Sequence, residues 1–177
     1  MKSLPPAIFA AFLAACAVLS PPQPQPAAEV LSRVTDGLPH HRPQSANLIV
    51  LPTDSDTDYG STRIAYSEAP YRLRYYRDHE WAAPPATMIN KLLIETMQRT
   101  GFFREVLTPP DSSRGAYTLR TTLAELLGQS SQPIASRNFK AEETMNAKSP
   151  DAGVVAANAA ASKLLADVAE FGIASTR

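Results

Sequence analysis

The sequence predicts an α+β fold of two layers, in which a β-sheet carries two main helices on one face. Three observations support this prediction. Short apolar or alternating runs that are typical of strands precede and follow a helical segment, which begins at Pro84-Pro85 and ends at Gly101. A second helical segment, rich in alanine, lies near the end of the chain. The 177 residues, of which 44% are hydrophobic, suit one folded domain.

The N-terminal segment has the layout of a secretory signal peptide. Lys2 supplies positive charge, and every residue from 7 to 15 is apolar or alanine. The segment ends in Leu13-Ala14-Ala15-Cys16, which resembles the bacterial lipobox. This resemblance implies cleavage before Cys16 and a thioether-linked diacylglycerol on that cysteine. We therefore expect residues 1–15 to be a lipoprotein signal peptide and Cys16 to be the lipidated first residue.

A proline-rich tether follows the expected anchor. Residues 20–28 contain four prolines and no hydrophobic period, which predicts an extended, semi-rigid spacer. Residues 29–42 give no clear pattern. The adjacent His40 and His41 are interpreted as a solvated linker pair, because no third metal ligand lies nearby. We assign residues 16–44 to the lipidated N-terminus and tether, and residues 45–177 to the folded domain.

The first half of the domain should hold three strands and a helix. Residues 47–51 form an apolar run typical of a buried strand, and residues 61–67 and 71–76 predict a hairpin. Alternation places Tyr71, Leu73 and Tyr75 on one strand face, which we expect to be buried. These aromatics suit core packing or, alternatively, a lipid-contacting stripe. The apolar stripe of the helix comprises Met88, Ile89, Leu92, Leu93 and Met97, and its wet side comprises Asn90, Lys91, Glu95, Gln98 and Arg99.

The second half of the domain should contain three more strands and a final helix. We expect strands at residues 102–107, 116–127 and 134–140, with a turn at 109–115. The long middle strand places Tyr117, Leu119, Thr121 and Leu123 on one face. The final helix is expected at residues 153–171. Its apolar side comprises Val154, Ala157, Ala161, Leu164, Leu165 and Val168.

Charge and cysteine content exclude several classes of protein. Lysine and arginine total 17, as do aspartate and glutamate, so the clustered positive charge that nucleic-acid binding requires is not expected. One cysteine and three histidines are too few for a Cys/His zinc site or a disulfide framework. Asp54, Asp56 and Asp58 have the spacing of a calcium loop, but Tyr59 and Ala65 stand where such a loop needs glycine and glutamate. We expect no metal site and no cofactor.

No catalytic site is expected either. The sequence lacks a G-x-S-x-G motif and a G-x-x-x-x-G-K-[ST] phosphate loop, so neither a hydrolase of that type nor a P-loop ATPase is expected. His79 could serve as a general base, although a solvated loop position is the simpler interpretation. Trp81 suits either a core anchor or an interface residue. Tyr71, Tyr75 and Trp81 are the candidate contacts to a partner or to lipid.

The order of elements and several local strings resemble one family, the ABC-type transport auxiliary lipoproteins of MCE-type lipid transport systems. No single string decides the resemblance, which rests on their order and spacing. The strings are Thr62-Arg63-Ile64-Ala65-Tyr66, Tyr75-Tyr76, Trp81-Ala82, Thr100-Gly101-Phe102-Phe103-Arg104-Glu105-Val106, Tyr117-Thr118-Leu119, Ser136-Arg137-Asn138-Phe139 and Val155-Ala156-Ala157-Asn158-Ala159-Ala160.

The resemblance implies a non-catalytic periplasmic subunit that docks onto an MCE-domain protein and, through it, onto an ABC permease and ATPase. Such a system moves lipids or other hydrophobic substrates between the inner and outer membranes. Because Ala17 follows the cysteine, we expect an anchor in the periplasmic face of the outer membrane rather than the inner membrane. The alternative is a structural or assembly lipoprotein of the outer membrane.

The chain departs from the family in one respect. Family members usually have a longer stretch between the strand that ends near Leu127 and the strand that contains Arg137, where this chain has only residues 128–134. We therefore expect one strand to be missing, which would leave a sheet edge exposed.

Overall fold

A computed structural model of the protein describes residues 25–32, 37–38, 41–55, 60–69, 72–110, 117–123 and 137–176. Cys16, Tyr71 and the region of the expected missing strand lie outside these residues. The elements of the described part are, in chain order, β1 (Ala27–Glu29), β2 (Leu48–Val50), β3 (Asp54–Ser55), β4 (Arg63–Ala69), β5 (Arg72–Trp81), α1 (Pro85–Arg99), β6 (Val106–Leu107), β7 (Tyr117–Leu119), β8 (Thr122–Leu123) and α2 (Pro150–Ala174).

The strands form three hydrogen-bonded groups in the described part of the chain. The first has the order β1-β5-β4, the second β6-β2-β7, and the third pairs β3 with β8. Strands β4 and β5 form the expected antiparallel hairpin, and the other pairs are parallel. Both helices contribute buried side chains to one core cluster with these strands. The α+β prediction is confirmed, although the expected single sheet is divided among these groups.

Helix α1 follows the predicted pattern closely. A proline occupies its first turn, where a missing N–H costs no helical hydrogen bond, and its apolar stripe faces the core. Leu93 and Met97 are 1% and 0% exposed. One residue on the side of α1 that was expected to face solvent is an exception. Asn90 is half-buried, and its Nδ2 donates to the Leu51 carbonyl at 2.9 Å, so this side chain ties α1 to the end of β2.

Helix α2 is longer than predicted and begins with a hydroxyl cap. The Ser149 hydroxyl accepts from the Ala152 amide at 3.2 Å, which satisfies one of the free N–H groups of the first turn. Within the described residues, α2 is the one helix long and apolar enough to cross a bilayer. Leu165, Ala169 and Ile173 are buried against the core, so we describe α2 as a core helix.

The strand expected at residues 102–107 is shorter in the structure, where Val106 and Leu107 pair with β2 as β6. The residues before β6 still make backbone hydrogen bonds to the chain that leads into β2. The Gln44 amide donates to the Phe102 carbonyl at 2.7 Å, and the Arg104 amide donates to the Ala46 carbonyl at 3.0 Å. Phe102 and Phe103 also fill the core: they are 2% and 7% exposed, and their rings meet edge to face at 5.0 Å.

The strand expected at residues 116–127 is interrupted. Its first part, β7, pairs with β2, whereas β8 pairs with β3 in another group. The predicted face is nevertheless correct, since Tyr117, Leu119, Thr121 and Leu123 are all more buried than the residues between them. Residues 137–140 do not form the expected strand. There, Phe139 packs edge to face on Phe171 of α2 at 5.5 Å.

The buried face of the hairpin differs from the prediction. Leu73 is 43% exposed, and Tyr76 rather than Leu73 packs against the core. Residues 73–75 of β5 pair in regular register with residues 65–67 of β4, so the alternation is as predicted, but the core lies on the opposite face of the strand, where Tyr76 lies. A bulge follows this segment: four residues of β5, 76–79, lie opposite a single residue of β4, Ile64.

Candidate functional site

Strand β1 lies within the range that the sequence assigned to the tether, yet it pairs with the hairpin. It runs parallel to β5, with Ala27 opposite His79 and Glu29 opposite Trp81. The Ala82 amide donates to the Glu29 carbonyl at 2.7 Å. The end of the expected semi-rigid spacer is therefore a strand, and Glu29 and His79 lie diagonally opposite each other on neighbouring strands.

Glu29 and His79 form a half-buried ion pair. Nδ1 of His79 lies 2.8 Å from Oε1 of Glu29, and the side chains are 18% (His79) and 21% (Glu29) exposed. The hydrogen bond to Glu29 raises the pKa of His79, and the negative charges of Asp78 and Asp151 act in the same direction against a lowering by partial burial. The expectation of a solvated loop histidine is wrong, because β5 extends through His79 to Trp81.

Asp151 brings a third ligand-bearing side chain to this pair. It lies in the first turn of α2, and one ligand atom from each of Glu29, His79 and Asp151 falls within 4.8 Å of the others. Among the described residues this is the one group of three such side chains. No local pattern could have indicated this group, since the three residues are far apart in the chain and belong to three elements. We call these three residues the Glu29–His79–Asp151 cluster.

The backbone after β1 is held by a side chain of α2. Oδ1 of Asn158 accepts from the Ser32 amide at 2.9 Å, and its Nδ2 donates to the Val30 carbonyl at 3.0 Å. One side-chain amide thus pairs with two backbone groups that flank Leu31, as a neighbouring strand would. Leu31 itself is buried in the core. Asn158 belongs to one of the strings on which the family resemblance is based. In the structure its side chain holds the segment after β1 against α2.

The exposed part of the hairpin combines arginines with aromatic rings. The Arg63 guanidinium lies 4.0 Å from the centre of the Tyr75 ring, and Tyr66 stacks on Tyr76 at 4.6 Å. Residues 64–77 contain three arginines and one glutamate. Those arginines, Arg72, Arg74 and Arg77, are all exposed. This end of the hairpin is therefore basic, although the whole chain has no net charge.

The candidate contact residues have different positions in the structure. Tyr75 is half-buried beneath Arg63 and still offers one side to solvent. Trp81 is only 9% exposed and belongs to the core, which favours the core-anchor interpretation. Tyr71 and Cys16 lie outside the described residues. The exposed Leu73 at the hairpin was not among the candidates.

His41 also differs from its expected role as a solvated linker residue. Its Nε2 lies 3.3 Å from Oε2 of Glu170 on α2, and its ring meets Phe102 edge to face at 6.1 Å. The side chain is 21% exposed. This part of the expected tether therefore also packs on the folded domain.

A comparison with protein families identifies the chain. The model of the family "ABC-type transport auxiliary lipoprotein component" matches residues 42–134, just over half of the sequence. The protein belongs to this family. The matched range contains the hairpin and α1 and extends through β8, whereas β1 and α2 lie outside it. The resemblance inferred from the sequence is confirmed.

Two crystal structures share the fold. Protein XCC0632 from Xanthomonas campestris, of the DUF330 family, is 19% identical over 86% of this chain and 94% of its own, with a TM-score of 0.65. An uncharacterized protein is 14% identical over 76% of this chain and 96% of its own, with a TM-score of 0.57. At these identities the similarity concerns the fold alone. No curated protein matches the sequence.

Proposed function

We propose that this ABC-type transport auxiliary lipoprotein is a non-catalytic, periplasmic subunit of an MCE-type system that moves lipids or other hydrophobic substrates between the inner and outer membranes. The observation that carries the proposal is the family match over residues 42–134. The lipobox at Leu13-Ala14-Ala15-Cys16 supports it independently, because a transport subunit of this kind needs a membrane anchor and no catalytic group.

The anchor would hold the domain at the periplasmic face of the outer membrane. Each buried methylene contributes about 0.8 kcal/mol, so the two or more acyl chains expected on Cys16 would give stable attachment where one chain would not. The chain reaches the domain at β1, which is paired with the hairpin. A lipid anchor on Cys16 would therefore be followed in the chain by a strand that is paired with the hairpin.

The hairpin is the part of the domain best suited to dock onto the MCE-domain protein. It lies inside the family match, and its strand β5 exposes Leu73, which is 43% exposed, beside Arg72, with the exposed Arg77 farther along the same strand. An exposed apolar side chain on a strand with exposed arginines suits a partner surface with an apolar centre and acidic groups around it. Tyr75, beneath Arg63, supplies a rigid aromatic surface next to it.

Co-purification tests this proposal. The full-length lipoprotein, extracted from its own cells in mild detergent, should retain an MCE-domain protein, and R72E/R77E should reduce that retention on the order of tenfold or more. K91E is the matched control, because Lys91 is an exposed cation on α1 and its reversal should leave retention unchanged.

Two outcomes would contradict the proposal. Equal retention of the R72E/R77E and wild-type proteins would show that the hairpin is not the docking element. The absence of any MCE-domain partner, together with capture of outer-membrane assembly proteins, would overturn the transport role and favour the alternative of a structural lipoprotein.

A further inference from the structure

The Glu29–His79–Asp151 cluster brings together side chains from three elements of the fold. Glu29 is on β1, His79 is on β5, and Asp151 is at the start of α2. The bulge of β5 includes His79, and bulges commonly redirect a side chain in this way. An imidazole and two carboxylates thus converge from distant parts of the chain.

These donor types fit a particular class of metal ion. Imidazole nitrogen with carboxylate oxygen is a ligand set that zinc and related first-row transition ions accept, whereas calcium and magnesium take oxygen ligands. Zinc binds such donors at about 2.0–2.2 Å, so that neighbouring ligand atoms in a tetrahedral site lie about 3.3 Å apart.

The cluster is close to that geometry. The His79–Glu29 separation of 2.8 Å must open slightly, and the largest separation in the cluster is within 4.8 Å. Asp151 is the exposed member and occupies a first helical turn, so its side chain is free to rotate toward the pair. Glu29 and His79 are already fixed by the β1–β5 pairing and by their own contact.

We propose that Glu29, His79 and Asp151 form a binding site for a divalent first-row transition ion, with zinc as the best fit, and that water completes its coordination. A metal bound here would link β1 to both β5 and α2. It would thereby fix the point at which the chain from the lipid anchor enters the domain. This proposal is independent of the transport role.

The test measures zinc binding by the purified, lipidated full-length protein. Isothermal titration calorimetry after EDTA treatment and dialysis should give one site per chain, and thermal denaturation should show a higher Tm with zinc than with magnesium. Cobalt substitution should give the visible absorption of a tetrahedral site. Lipidated protein is used because a free thiol at Cys16 would itself bind zinc.

Variants locate the site. H79A should abolish binding, and D151N should weaken it on the order of tenfold or more, in line with the loss of a ligand or its supporting contact. D151N is a conservative change at an exposed position, so it tests the site even where H79A impairs folding. H41A is the control, because His41 also contacts a glutamate but lies outside the cluster.

The proposal is overturned by either of two results. One is the absence of saturable zinc binding by the wild-type protein. The other is zinc binding that H41A removes, or that H79A and D151N leave unchanged.

Discussion

The contact between Asn158 and the backbone after β1 gives the sharpest structural prediction. N158A removes the hydrogen bonds to the Ser32 amide and the Val30 carbonyl, which hold this segment against α2. Both bonds are exposed to solvent, so each should contribute about 0.5–1 kcal/mol. Alanine is the better helix former by about 0.5 kcal/mol, which offsets part of the loss. We expect a net destabilisation of about 1 kcal/mol.

Thermal denaturation and hydrogen exchange measure this effect separately. For a chain of this size, 1 kcal/mol corresponds to a fall in Tm of about 2–4 °C. The change in hydrogen exchange at Ser32 should be clearer than the change in Tm. The Ser32 amide loses its acceptor in N158A, so its exchange should accelerate by more than the roughly fivefold that a loss of 1 kcal/mol gives to amides that exchange by global unfolding, such as those in the centre of α1.

Two further variants separate the contact from a general effect on α2. N158D keeps an acceptor for the Ser32 amide and should preserve its protection, although it loses the donor to Val30. V155A changes a residue that is 67% exposed on the same helix and should alter stability by no more than about 0.5 kcal/mol. Unchanged exchange at Ser32 in N158A, or an equal effect of V155A, would refute the reasoning.

The remaining predictions concern the core, a helix end and the anchor. L93D buries an unpaired charge at a position that is 1% exposed, so thermal denaturation should show a loss of several kcal/mol, and an unchanged Tm would contradict the helix face. G101A places a side chain at φ 61° and should cost about 1–2 kcal/mol in urea unfolding; equal stability would argue against that conformation. C16S should abolish labelling by radioactive fatty acid, and labelling of that variant would disprove the anchor.

Local sequence patterns were sufficient to predict the elements in which buried residues recur at a fixed spacing. The stripe of α1 was predicted because a helix that packs on one side buries residues at a fixed spacing. Its end at Gly101 was predicted because a positive φ favours glycine. The more buried face of residues 117–123 was predicted correctly because alternate residues of an extended chain lie on the same side. The family, too, was recognisable from the order and spacing of short strings in consecutive residues.

The candidate sites required the tertiary structure. Alternation predicted the wrong buried face at Leu73 because a strand pattern shows which residues share a face, whereas packing against the other elements decides which face meets the core. β1 was missed because Ala27–Glu29 has no strand pattern of its own and is stabilised by its neighbour.

What the sequence determined by itself is the class of the fold and the family, since each depends on consecutive residues or regular spacing; the lipid anchor stays a prediction from the same kind of local pattern. What only the tertiary structure decided is where Glu29, His79 and Asp151 meet, that Trp81 is a core residue, and that Asn158 holds the segment after β1. The physical reason is that contacts between elements depend on packing and register, which a local pattern does not specify.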